Sequence, residues 1–87
     1  MAEMPEEMKK LQEALLQQRD ELRLKLHLAK ADAKDEWEVL EGKWSDAQDK
    51  FSQMQKSAEG SMVEIEAAAR LLGEEIQRGY ERIRRLF

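Results

Sequence analysis

The chain has 87 residues, 39% of them charged and 41% hydrophobic, with a net charge of −4, four glycines and one proline. That length allows one domain at most, near the lower limit for a self-sufficient core. The absence of cysteine excludes disulfides and thiolate metal sites, and regularly spaced apolar residues argue against simple disorder.

Glu, Lys, Gln, Ala, Leu and Arg dominate, as on a helical surface. Met1 to Pro5 is short and acidic with no apolar leader after it, and the longest apolar runs are three or four residues. A cytoplasmic protein without a transmembrane segment is expected.

Pro5 followed by Glu6 and Glu7 reads as a first helical turn, since proline is tolerated there and acids suit the positive dipole end. Apolar positions then recur every three or four residues. They run from Met8, Leu11 and Leu15 through Leu22, Leu26, Ala33, Trp37, Leu40, Trp44 and Phe51 to Ile65, Leu72, Ile76, Tyr80, Ile83 and Phe87. This is the period of one helical face, and Gln18 is the single polar step in it.

Within that pattern LRLKLHLA, from Leu22 to Ala29, alternates like a strand. It is short, lies inside a longer helical pattern and has no turn signals beside it, so helix is expected. Leu24 and Leu28 then form a second apolar face, extended by Ala31 and Val39, of a width that suits three- or four-helix contacts. Steps of eleven residues, from Leu22 to Ala33 to Trp44 and from Ile65 to Ile76 to Phe87, predict a nearly straight assembly there.

Two places could turn. Gly42 precedes Ser45 and Gln48, and Gly60 precedes Ser61 and Glu64, both resembling capping boxes. The apolar phase crosses both glycines, which places Gly42 within a helix and leaves Gly60 open. The expected fold is therefore all-α: an elongated long-helix coiled coil or bundle over residues 1–87, with a helical hairpin broken near residues 58–61 as the alternative. A continuous or kinked long helix is favoured. A rod has nothing to fold against, and the hairpin overhangs by half its first arm, so both arrangements require a partner. Another copy of the chain or a heterologous helical protein would supply it.

The association seam is expected at Leu26, Ala33, Trp37, Leu40, Trp44, Phe51, Ile65, Leu72 and Ile76, with the two tryptophans as packing anchors. Exposed faces are expected to carry i,i+4 pairs such as Glu21 with Lys25, Glu66 with Arg70 and Glu74 with Arg78. His27, the one histidine, has no companion ligands nearby and is expected at the periphery.

No glycine-rich phosphate loop, nucleophile constellation or di-iron set is present, so no catalytic residue, cofactor or metal is assigned and the chain is expected not to be an enzyme.

The final segment IQRGYERIRRLF is basic: its last ten residues carry four arginines and Glu81, leaving −7 for the remainder. Arg78, Tyr80, Arg82, Ile83, Arg84, Arg85 and Phe87 form a candidate docking tip. Its simplest role is to close the bundle end, where cations suit the helix dipole. An acidic protein surface is the next reading, then anionic lipid; nucleic acid is disfavoured because the acidic body would repel its backbone.

The stretches AKADAKDEWEVLEGKW and KSAEGSMVEIEAAARLLGEEI resemble small, acidic, cysteine-free bacterial coiled-coil proteins, some described as stress-response proteins. The resemblance implies a soluble, elongated, associating helical protein and supplies no catalytic residues. The function expected is structural: self-association or bridging of protein partners along the seam. The alternative is peripheral membrane-surface binding by an amphipathic helix with a cationic C-terminal tip.

Overall fold

The computed structural model describes residues 4–56 and 59–86. They form an all-α bundle of three helices: α1 (Glu6–Lys25), α2 (Ala31–Lys56) and α3 (Glu59–Arg85), with a 3-10 turn at Leu26–Leu28 after α1. The bundle measures 44 × 17 × 15 Å. Its radius of gyration, 14.1 Å, exceeds the roughly 12 Å of a compact chain of this length.

α1 begins where expected: the Pro5 carbonyl accepts the Met8 and Lys9 amides at 3.0 and 3.1 Å, and Glu6 and Glu7 fill the first turn. It does not continue into a long rod. After Lys25 the backbone tightens into the 3-10 turn. Ala29, at φ −80° and ψ 152°, then extends the chain while its amide bonds to the Leu26 carbonyl at 3.0 Å. The Lys30 carbonyl accepts the Ala33 and Lys34 amides, and α2 runs back along the bundle. The favoured continuous helix is thus corrected by a reversal inside LRLKLHLAK, the stretch expected to be uninterrupted.

The second reversal falls between Lys56 and Glu59, near the expected break. Ser57 and Ala58, the latter the first residue of AEGS, lie outside the described residues, and α3 already covers Gly60. Gly42 lies inside α2, and the Ser45/Gln48 pair caps nothing because α2 runs through it.

Each helix buries one heptad stripe. On α2 it is Ala33, Trp37, Leu40, Trp44, Ala47, Phe51 and Met54, in unbroken steps of four and three. Met8, Leu15 and Leu22 of α1 and Ala69, Ile76, Tyr80 and Ile83 of α3 close around it, with Leu11, Ile65 and Leu72 packed at the margins. The eleven-residue steps carry no separate geometry: Leu22 to Ala33 crosses the reversal, and Ile65 to Ile76 is two heptad steps of four and one of three. Seven-residue packing of this kind belongs to left-handed bundles.

Two glycines on α3 set how closely its neighbours approach. A Cβ on Gly73 would stand 2.7 Å from Leu11 Cδ2 on α1, and one on Gly79 would meet Leu40 of α2. α1 and α2, by contrast, stay apart along most of their length, and the indole of Trp44 fills part of the gap beneath Arg19.

The seam that required a partner under either expectation is therefore covered within one chain. A third antiparallel segment, created by the reversal at residues 26–30, supplies the apolar surface that a rod or a two-armed hairpin would lack.

Candidate functional site

Polar side chains clasp all three grooves of the bundle at intervals of seven or fourteen residues. Between α1 and α2, the Gln12 amide donates to Gln48 at 3.2 Å, and seven residues on, Arg19 grips Glu41 with Nε and Nη2 at 2.7 and 2.8 Å. Between α2 and α3, Arg82 donates to Glu36 at 2.8 Å and Lys43 meets Glu75 at 3.3 Å, again seven apart on each helix. Between α1 and α3, Arg70 reaches Glu7 at 3.0 Å and Arg84 reaches Glu21 at 3.5 Å, fourteen apart on each. Of the expected local pairs, Glu66 and Arg70 meet at 3.0 Å, whereas Glu21 turns across the groove to Arg84.

The densest of these clasps surrounds Tyr80. Its ring is fully buried and stacks on Trp37 with centroids 6.0 Å apart and planes at 27°. Its hydroxyl has no hydrogen-bond partner among the described residues. Burial raises the Tyr80 pKa to about 12; the Glu41 carboxylate adds to this and Arg19 opposes it. Arg19 itself is held above its ordinary pKa, first by the hydrogen bond to Glu41, with burial acting in the other direction. Its guanidinium carbon sits 5.8 Å from the Trp44 ring centroid, a cation–π contact. The cluster locks three helices together; its carboxylate is spent on an arginine and its phenol is kept neutral.

The expected seam residues Ala33, Trp37, Leu40, Trp44, Phe51 and Ile76 are buried inside this one chain, and Leu26, Ile65 and Leu72 are half-buried. Of the candidate tip, Tyr80 and Ile83 point into the core. Arg82 and Arg84 are held by Glu36 and Glu21, while Arg78 and Arg85 are exposed. Phe87 lies outside the described residues. The arginine-rich segment is thus an integral helix of the bundle with its apolar face turned inward.

What the surface does offer is elsewhere. Leu24 and Leu28 are 75% and 77% exposed, with Leu86 at 45%. The Arg84–Glu21 and Arg82–Glu36 pairs put the end of α1, the start of α2 and the end of α3 at one pole of the rod, so these leucines share that pole. The second apolar face expected through Leu24, Leu28, Ala31 and Val39 does not form, because the reversal divides these residues among α1, the 3-10 turn and α2, and each of them is exposed. His27 is exposed too, as expected of a peripheral residue.

A shallow groove between α1 and α3, near Leu11 and Arg70, has a volume of about 330 Å³. It is spanned by the Arg70–Glu7 pair. Among the described residues no group of three or more His, Cys, Asp or Glu could hold a metal ion, and no helix is long and apolar enough to cross a membrane. No protein-family model matches the chain, and neither a curated protein nor a solved structure is detectably similar to it.

Proposed function

We propose that this chain is a non-enzymatic structural module, a short stiff helical spacer that bridges protein partners. The observation that carries this reading is the closed seam: one chain buries its own heptad stripes and clasps each groove with polar pairs. The result is a 44 Å rod. Of the two modes of assembly, pairing with a second copy along the seam and bridging other proteins through the outer faces, the closed core favours the second. A flat-lying amphipathic helix on a membrane would need the same seam open.

Sedimentation velocity across a wide concentration range tests this. A moderately elongated 10.2 kDa monomer throughout supports a spacer for heterologous partners. A mass that climbs with concentration, together with a concentration-dependent melt, would replace bridging by self-assembly.

A further inference from the structure

We propose that the pole carrying Leu24, Leu28 and Leu86 docks end-on to an anionic lipid bilayer, the three leucines entering the interface and a ring of cations meeting the headgroups. This does not rest on the spacer reading, since a bundle can dock by its tip without holding anything apart.

The apolar half of the argument is exposure. Leu24 lies one residue before the end of α1 and Leu28 closes the 3-10 turn about one helical turn later, each some three-quarters exposed. Neither is needed by the fold. Leu86 adds a third apolar side chain from α3.

The charged half is position along the rod. Arg82 and Arg84 are set aside, being tied to Glu36 and Glu21. Arg23, Lys25, Lys30, Lys34 and Arg85 then remain around the leucines, and none of them forms an ion pair among the described residues. Against them stands Asp32; Asp20, Asp35 and Glu81 sit roughly 6–8 Å back from their helix ends at 1.5 Å per residue. The His27 side chain is exposed at the same pole.

End-on docking lets a chain of net charge −4 bind a negative surface. Screening over about 8 Å at physiological salt removes most of the repulsion from carboxylates further along the 44 Å rod. Leucines with a basic collar combine the two attractions of interfacial binders, apolar insertion and attraction to anionic headgroups. A purely polar acidic protein surface would satisfy the collar but would leave the exposed leucines without an apolar partner. The bilayer accounts for both.

The test is co-sedimentation of the full chain with vesicles of phosphatidylcholine alone, and of three parts phosphatidylcholine to one of phosphatidylglycerol. Binding to the mixed vesicles, weak binding to the neutral ones and loss on raising the salt are expected. The double variant Leu24→Ser/Leu28→Ser should bind about ten-fold more weakly with unchanged helicity, as should Lys25→Glu/Lys30→Glu. Val63→Ser is the control: Val63 is 74% exposed, but it sits near the start of α3, at the opposite pole, and its loss should change nothing. No binding to the mixed vesicles would overturn the proposal. So would a leucine variant that binds like the parent, equal binding to both vesicle types, or a Val63→Ser variant as weak as the leucine one.

Discussion

Gly79 of α3 lies so close to Leu40 of α2 that a Cβ added to it would fall 2.9 Å from the Leu40 Cγ. Leu40 is buried and cannot swing away into solvent. Gly79→Ala should therefore destabilise the bundle by about 1–3 kcal/mol through overpacking, despite alanine's better helix propensity. A Cβ on Gly42 would meet nothing within 4 Å, so Gly42→Ala should gain about 0.5–1 kcal/mol. Urea denaturation of the two variants checks both signs; a stabilised Gly79→Ala would mean that α2 and α3 are not packed this closely.

Tyr80 keeps its hydroxyl buried without a partner among the described residues, and removing a group in that position costs nothing in hydrogen bonding. Tyr80→Phe should be neutral or up to about 1–2 kcal/mol more stable at pH 7. Alkaline solution should separate parent and variant. Folded Tyr80 holds its proton to about pH 12, whereas an unfolded tyrosine loses it near pH 10. The folded state then binds more protons than the unfolded one between those values, so stability falls as pH rises, by about 1.4 kcal/mol per unit. Below pH 10 this contribution is flat. The phenylalanine variant lacks it, so the stability difference between the two should widen in its favour above pH 10; parallel curves would show that the phenol is solvated.

The Arg19–Glu41 clasp is bidentate, partly buried and roofed by Trp44. A double-mutant cycle to alanine should give a coupling of about 1 kcal/mol, and Arg19→Lys should not restore it because a lysine ammonium cannot fork. Arg84 and Glu21, exposed and 3.5 Å apart, should couple by less than about 0.5 kcal/mol.

Gln18 occupies the polar step in the α1 stripe between Leu15 and Leu22, and is half-buried. Gln18→Leu should stabilise the bundle by about 1 kcal/mol, raising the melting temperature by about 4–8 °C for a domain of this size. A lowered melting point would show that the amide has a structural duty.

The stripes themselves are legible because burial of a helical face leaves a three-and-four spacing in any sequence. The start of α1 at Pro5 and the helical setting of Gly42 are legible for equally local reasons. The reversal after Lys25 is not. Leu22 and Ala33 are eleven residues apart, close to three helical turns, so counting in threes and fours passes straight over the bend. The bend also uses no glycine and no positive φ, only a 3-10 turn and one extended alanine. A bend hidden in this way makes the seam look unpaired. The groove-spanning pairs are hidden too: Glu21 has a lysine four residues on and still reaches Arg84, because its partner is chosen by the neighbouring helix. Tyr80 reads as part of an exposed tip for the same reason; nothing local distinguishes an aromatic that stacks on Trp37 from one facing water.

An apolar stripe that repeats every seven residues has a weakness: two helices can slide by one repeat and still match leucine to leucine. The clasp between α2 and α3 acts as a vernier against such a slip. Moved one repeat in one direction, Lys43 comes opposite Arg82; moved in the other, Glu36 comes opposite Glu75. Either displacement replaces two attractions with a like-charge confrontation, so the aligned state differs from its shifted neighbours in charge even where it does not differ in oiliness.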